Sequence, residues 1–212
     1  MGILPVGFIY IAALLRLGGG FAYIVATIRG KAKPNPISWL LWSLTPLISF
    51  FAGLSSGFDP MLVVTLATGL SPLMVFFIAV AKNRRSLQFN KLNTACLIIA
   101  LTGIGLWAAT DHPLLAIGLA IVADIVSALP TLAKIARHPY SEYTPTYIVN
   151  AGAMTLALLA TDTLSPLAIA FPVYVLTINS FIVGFILSVQ AKRKMKIRQG
   201  MARLHANRRA RK

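Results

Sequence analysis

Two oppositely charged residues lie inside long apolar stretches of this sequence, where charges are rare. Arg16 is surrounded by leucine and glycine, and Asp124 by alanine, valine and isoleucine. A guanidinium binds anions such as carboxylates, whereas a carboxylate binds cations or takes up a proton. Two interpretations follow. The residues form a permanent salt bridge, or they pair in one conformation and separate in another, which makes Asp124 the candidate for proton coupling.

Further polar residues share the apolar stretches with this pair. Helical spacing places Ser127 and Thr131 on the face of Asp124. The side-chain amides of Asn150 and Asn179 lie in apolar spans and need a hydrogen-bond partner, either on another helix or on a bound solute. Trp42 offers an aromatic surface on which a solute could stack. The candidate residues of a polar solute path are Arg16, Trp42, Asp124, Ser127, Thr131, Asn150 and Asn179.

Prolines inside the spans are candidate hinges, because proline removes a helical hydrogen bond and permits bending. The hinge candidates are Pro46, Pro72, Pro130 and Pro172.

Signals of enzyme chemistry are missing from the sequence. It contains no glycine-rich phosphate loop, no nucleophile with a placed base and no cluster of metal-ligand residues. The three histidines, at positions 112, 138 and 205, fall in two different connections and the tail. We therefore expect no enzyme activity, no cofactor and no metal.

The elements that must position the polar residues are apolar helices. Hydrophobic residues make up 57% of the 212 positions and charged residues only 12%, and the mean hydropathy is +0.76. Apolar runs of roughly 17 to 25 residues match the length of a membrane-spanning helix, and they lack the alternation of a barrel strand. The sequence predicts an all-α membrane protein with spans at 4–28, 37–54, 61–81, 92–109, 114–136, 145–161 and 166–190.

Cationic residues mark alternate connections between these spans. The first, third and fifth connections are basic, as is the tail 191–212, which holds ten of the 20 Lys and Arg residues. The positive-inside rule then predicts an N-out, C-in, multi-pass protein of the cell membrane. Two roles are open for the basic tail. It only fixes this topology, or it additionally holds the chain against anionic membrane lipids. It contains no Phe, Tyr or Trp that would form a platform for stacking bases, so we expect no nucleic acid partner.

An internal repeat relates the two halves of the chain. An offset of 108 positions aligns Arg16 with Asp124, Arg29 with Arg137, and the first three spans with the last three. Because one span intervenes, both halves keep the same orientation. The predicted units are a first three-helix repeat at 1–90, a linker helix at 91–112, a second three-helix repeat at 113–190 and the tail at 191–212.

Local motifs suggest a family. Leu129-Pro130-Thr131-Leu132 resembles the proline-plus-polar element of the SWEET and PQ-loop superfamily, with Thr131 where that family often has glutamine. Asn179 is similar to the substrate-contacting asparagine of the family's last helix, and its repeat partner is Ser71. The resemblance implies two parallel three-helix bundles joined by a linker helix, with the substrate path between the bundles.

We accordingly expect a transporter of a small polar solute, namely a sugar, an amino acid or a related metabolite, that works by alternating access. The alternative is a non-transporting membrane scaffold or receptor of the same fold, whose cytoplasmic face binds a partner. The sequence does not distinguish proton coupling from facilitated diffusion, and it does not indicate an oligomeric state.

Overall fold

Seven helices form the chain in the computed structural model, which describes residues 2–55, 58–83, 87, 89–109, 113–162 and 166–209. The helices are α1 Gly7–Ile28, α2 Pro36–Ser55, α3 Met61–Lys82, α4 Lys91–Ala108, α5 Pro113–Arg137, α6 Thr144–Ala160 and α7 Pro166–Arg209. The described residues contain no β-strand. The prediction of an all-α chain is confirmed, and all predicted helix ends but one agree within three residues.

The exception is the carboxyl end of α7, predicted at residue 190. The helix continues to Arg209 and has 44 residues in all. Residues after Gln190 are mostly Lys, Arg, Met, Ala and Gln, with no proline. These residues favour the helix even where the chain is no longer apolar, so hydropathy marks the end of the predicted span and not of the helix.

Several helices are suited to a membrane. In the described part of the chain, four segments are long and apolar enough to cross one: Gly7–Ile28, Met61–Lys82, Gly118–Arg137 and Ile169–Met201. Shorter apolar segments are Pro36–Phe51 and Lys91–Leu106. Large apolar side chains such as Leu14, Phe21 and Phe77 are more than half exposed, as expected for a surface that faces lipid. These features indicate a membrane protein, and the number of spans stays a prediction.

Helix packing follows the same pattern in the two halves. Helices α1 and α2 each pack against α3, and α5 and α6 each pack against α7. The two groups meet through α1 with α6 and through α2 with α5, while α4 packs on α5 and also contacts α2. Apart from the contacts of α4, exchanging each helix of the first group for its counterpart in the second leaves this pattern unchanged.

Glycines in α1 allow its neighbours to approach closely. A Cβ on Gly20 would lie 1.9 Å from Ser71 Oγ of α3, and one on Gly19 would lie 3.0 Å from Asn150 Oδ1 of α6. The hydroxyl of Thr146 also donates to the carbonyl oxygen of Gly19 at 2.8 Å. Gly18 has open space around it. Two of the three consecutive glycines are therefore packing positions for other helices.

One end of the molecule gathers the basic connections. The amide of Lys33, between α1 and α2, donates to the carbonyl oxygen of Ser141, between α5 and α6, at 2.8 Å. The ammonium of Lys82, at the end of α3, donates to the carbonyl oxygens of Thr27, at 2.5 Å, and Ile28 at the end of α1. We call this the basic end.

Apolar clusters lie toward the two ends of the helices. One contains Tyr23, Trp39 and Tyr147 near the basic end, and the other contains Ile9 and Met154. Polar residues lie between the two clusters. The four hinge candidates Pro46, Pro72, Pro130 and Pro172 are inside continuous helices, so their role as hinges stays a prediction.

Candidate functional site

A polar cavity lies between the two groups of helices. Every helix except α4 contributes to the lining that the structure describes. The predicted path residues in the lining are Arg16, Trp42, Asp124, Asn150 and Asn179, and the hinge candidates in it are Pro46 and Pro72. Its volume of about 40 Å³ is room for a few water molecules.

Residues of the cavity wall are related by the repeat. Eight of them form four pairs separated by 108 positions. The pairs are Arg16 with Asp124, Trp39 with Tyr147, Trp42 with Asn150, and Ser71 with Asn179. The offset that aligns the two halves of the sequence thus also relates opposite sides of one cavity.

Arg16 reaches the cavity from the middle of α1. Its residue exposure is only 7%, and its Nε and Nη1 atoms are buried with no hydrogen-bond partner among the described residues. The same residues contain no salt bridge between Arg16 and Asp124. An unpaired buried donor costs about 1–3 kcal/mol. The guanidinium is therefore placed to bind an anionic group that enters the cavity.

Asp124 faces the same cavity from α5. Its Oδ2 accepts a hydrogen bond from the hydroxyl of Tyr174 in α7 at 2.6 Å. Its backbone oxygen accepts one from Trp42 Nε1 of α2 at 3.3 Å, which links the two helix groups. Tyr174 was not among the site residues predicted from the sequence. The available signal was a tyrosine inside an apolar span, because a buried tyrosine hydroxyl usually has a partner.

The two amides differ in how they are satisfied. Asn150 Oδ1 is buried without a hydrogen-bond partner among the described residues. Asn179 Nδ2 donates to the carbonyl oxygen of Val175 in its own helix at 2.8 Å. Asn150 therefore adds an unpaired acceptor to the unpaired donors of Arg16.

Two predicted path residues of α5 lie outside the described cavity wall. Ser127 donates to the carbonyl oxygen of Ala123 in its own helix at 2.7 Å. Thr131 Oγ1 is buried with no hydrogen-bond partner in the described part of the chain. Both residues are nearer than Asp124 to the basic end of α5. Helical spacing thus identified the inward face of α5, but this face extends beyond the cavity.

A buried carboxylate at the basic end joins the two helix groups. Glu142 Oε2 accepts hydrogen bonds from the hydroxyls of Tyr23 in α1, at 2.5 Å, and Tyr147 in α6, at 2.8 Å. Its Oε1 pairs with the ammonium of Lys134 in α5. Trp39 of α2 packs on Tyr23 with ring centroids 4.4 Å apart. We call these five residues the Glu142 cluster.

Glu142 was not predicted as a functional residue, because the connection that contains it also carries Arg137 and His138. Such a charged connection is usually solvated, and periodicity gives no information about a loop side chain. Nevertheless the Glu142 side chain has no exposed surface. The available signal was that Glu142 is the only glutamate in the sequence and lies five residues before Tyr147.

Contacts at the opposite end also join the two groups. The amide of Gly2 donates to Asp162 Oδ1 at 2.5 Å, and the amide of Leu4 donates to the carbonyl oxygen of Leu159 at 2.9 Å. The segment before α1 therefore packs against the end of α6. The cavity lies between these contacts and the Glu142 cluster.

Comparisons with known proteins do not assign this cavity. No family model matches the chain, and no curated protein or solved structure is significantly similar to it. Among the described residues, no three His, Cys, Asp or Glu side chains are grouped as they would be around a metal ion. The chemistry of the cavity must therefore be inferred from its own geometry.

Proposed function

We propose that this chain is a membrane carrier of a small polar solute, with its substrate path through the cavity between the two helix groups. The observation that carries the proposal is the Arg16 guanidinium, buried in a polar cavity with two nitrogen atoms unpaired. A charge at the centre of a membrane costs on the order of 3 kcal/mol and is usually retained for function. A solute-binding role explains why these two nitrogen atoms have no hydrogen-bond partner among the described residues.

The proposed architecture has seven spans in two parallel three-helix bundles joined by α4. Support comes from the helix contacts, which are equivalent in α1 to α3 and in α5 to α7. Further support comes from the four pairs of lining residues at an offset of 108. This arrangement resembles the plan of the SWEET and PQ-loop superfamily. The basic end is then cytoplasmic by the positive-inside rule.

The charges of the cavity favour a solute that carries both an anionic and a cationic group. A neutral sugar would leave the two unpaired nitrogen atoms of Arg16 without an anionic acceptor in a buried site, which is costly. The carboxylate of an amino acid can pair with Arg16, and its ammonium can pair with Asp124. Within the class of small polar solutes, we therefore propose a zwitterion of the amino acid type.

Alternating access requires contacts between the bundles that can break at one end at a time. The Glu142 cluster is such a contact at the basic end, and the hydrogen bonds of Gly2 and Leu4 are one at the opposite end. The narrow cavity between them corresponds to a closed conformation, which a solute enters after helices move apart. Pro46 and Pro72 line the cavity and are positioned to let α2 and α3 bend.

A scaffold or receptor of the same fold is the second candidate. The observation that favours it is the basic extension of α7 beyond Gln190, whose residues 191–201 are exposed. Such a helix offers a surface for an acidic partner. In that protein the cavity would be sealed from water on both sides.

Access of water to the cavity distinguishes the two candidates. In a Cys96→Ala background, we expect a cysteine introduced by Asn179→Cys to react with a small charged thiol reagent, because Asn179 lines the cavity. The matched control is Ser127→Cys, which is buried on α5 outside the cavity wall and should stay unreactive. If Asn179→Cys is as unreactive as Ser127→Cys from both sides of the membrane, the carrier proposal is wrong.

A further inference from the structure

A basic pocket lies at the basic end, away from the cavity. It has a volume of about 580 Å³, and its basic lining residues are Lys33, Lys134, His138 and Arg193. These residues come from the α1–α2 connection, the end of α5, the α5–α6 connection and the extension of α7. The pocket is thus built from both repeats and from the long last helix.

Hydrogen bonds fix the backbone that forms this pocket. Lys33 donates its amide to Ser141, as described above, and the ammonium of Lys134 donates back to the carbonyl oxygen of Lys33. Gln190 Nε2 of α7 donates to the carbonyl oxygen of Pro139 at 2.9 Å. The three segments are therefore held together before any ligand binds.

Among the described residues, the net charge of the pocket is positive even when the carboxylate of Glu142 is counted. Glu142 pairs with Lys134 and offsets its charge. Lys33 and Arg193 are exposed and contribute two further cations. Ser141 is 8% exposed, and its hydroxyl oxygen is buried with no hydrogen-bond partner among the described residues. A change of rotamer is needed to turn this hydroxyl toward a phosphate in the pocket. The pocket thus combines cations with an unused donor, which is the donor set that a phosphate group requires.

Apolar residues complete the same pocket. Tyr140 is 52% exposed and Ile197 is 54% exposed, and both line it. A soluble phosphate compound gains nothing from such surface, whereas a phospholipid places acyl chains beside its headgroup. Basic pockets at the cytoplasmic ends of membrane helices bind anionic headgroups. We propose that this pocket binds the phosphate of one anionic phospholipid molecule, with Lys33, Arg193 and Ser141 as its ligands.

Retention of lipid by the purified full-length protein tests this site. In neutral detergent micelles, we expect the wild type to retain added phosphatidylglycerol in preference to phosphatidylcholine, as counted by native mass spectrometry. The double variant Lys33→Gln/Arg193→Gln should bind phosphatidylglycerol about 30-fold more weakly, the effect of two near-surface cations. Lys194→Gln/Arg198→Gln makes the same charge change on α7 outside the pocket, where solvent and salt screen the charges from the ligand, and should cost less than about threefold.

A third variant keeps the charges of the pocket. Ser141→Ala removes only the unused hydroxyl and should weaken phosphatidylglycerol binding by about fivefold, the effect of one hydrogen bond. Equal losses in the two double variants would mean diffuse attraction to the basic helix and would overturn the proposal. So would equal affinity for sn-glycerol 3-phosphate and phosphatidylglycerol, because the ligand would then be a soluble phosphate. This site does not depend on the carrier proposal.

Discussion

Replacing Arg16 with methionine abolishes solute uptake without lowering the thermal unfolding midpoint. The guanidinium has two unpaired buried nitrogen atoms, so an apolar side chain of similar length removes a cost of about 1–3 kcal/mol from the folded state. The same change removes the donors for the carboxylate of the solute. Losing two charge-assisted hydrogen bonds lowers affinity by about 100-fold or more, which proteoliposome uptake at limiting solute measures.

Arg29→Met is the matched control for this prediction. Arg29 follows α1 directly and is exposed at the basic end, so its replacement should leave uptake near that of the wild type. The competing interpretation makes Arg16 a structural partner of Asp124. In that case Arg16→Met would lower stability by about 3–5 kcal/mol, and Arg16→Met/Asp124→Leu would restore it. That pair of results would contradict a solute-binding role.

Glu142→Ala causes the largest loss of stability that we expect from a single substitution. The change leaves the buried hydroxyls of Tyr23 and Tyr147 without their acceptor and Lys134 without its counter-ion. Lys134 is partly exposed and can turn to water, so the cost is about 3 kcal/mol rather than the full value for a broken buried pair. Thermal unfolding in detergent should show a decrease of roughly 6–12 °C in the midpoint.

Tyrosine variants separate the hydrogen bond from the loss of volume. Tyr23→Phe removes the donor to Glu142 Oε2, and we expect a loss of about 1–2 kcal/mol. Tyr140 is half exposed, so Tyr140→Phe should leave stability within about 0.5 kcal/mol of the wild type. A midpoint for Glu142→Ala that equals that of the wild type would rule out the Glu142 cluster as a link between the helix groups.

Much of the helical structure could be predicted from the hydropathy of the sequence and from residues that interrupt helices. Prolines and charged residues mark the connections, so helix ends followed within a few residues. The end of α7 could not be found in this way, because the residues after Gln190 lose hydropathy while they keep helix propensity. Hydropathy measures which solvent a segment prefers, and helix propensity measures its backbone conformation.

Some residues of the candidate site could be predicted from their type alone, whereas their hydrogen-bond partners could not. Charges and amides inside apolar runs pointed to Arg16, Asp124, Asn150 and Asn179, all of which line the cavity. A single sequence could not show that Tyr174 bonds to Asp124, or that Ser127 bonds to its own helix. These outcomes depend on how helices distant in sequence are rotated against each other, and periodicity fixes a face of the helix without fixing its partner.

Uptake into proteoliposomes is the measurement that bears most directly on the proposed function. Purified protein would be supplied with labelled amino acids and sugars, with and without an imposed pH gradient, alongside Asp124→Asn. We expect saturable uptake of an amino acid by the wild type and loss of that uptake in Asp124→Asn. If uptake by the wild type also depends on the pH gradient, transport is coupled to protons and Asp124 is the residue that carries the proton. Folded wild-type protein that takes up none of these solutes would contradict the carrier proposal and favour a scaffold or receptor.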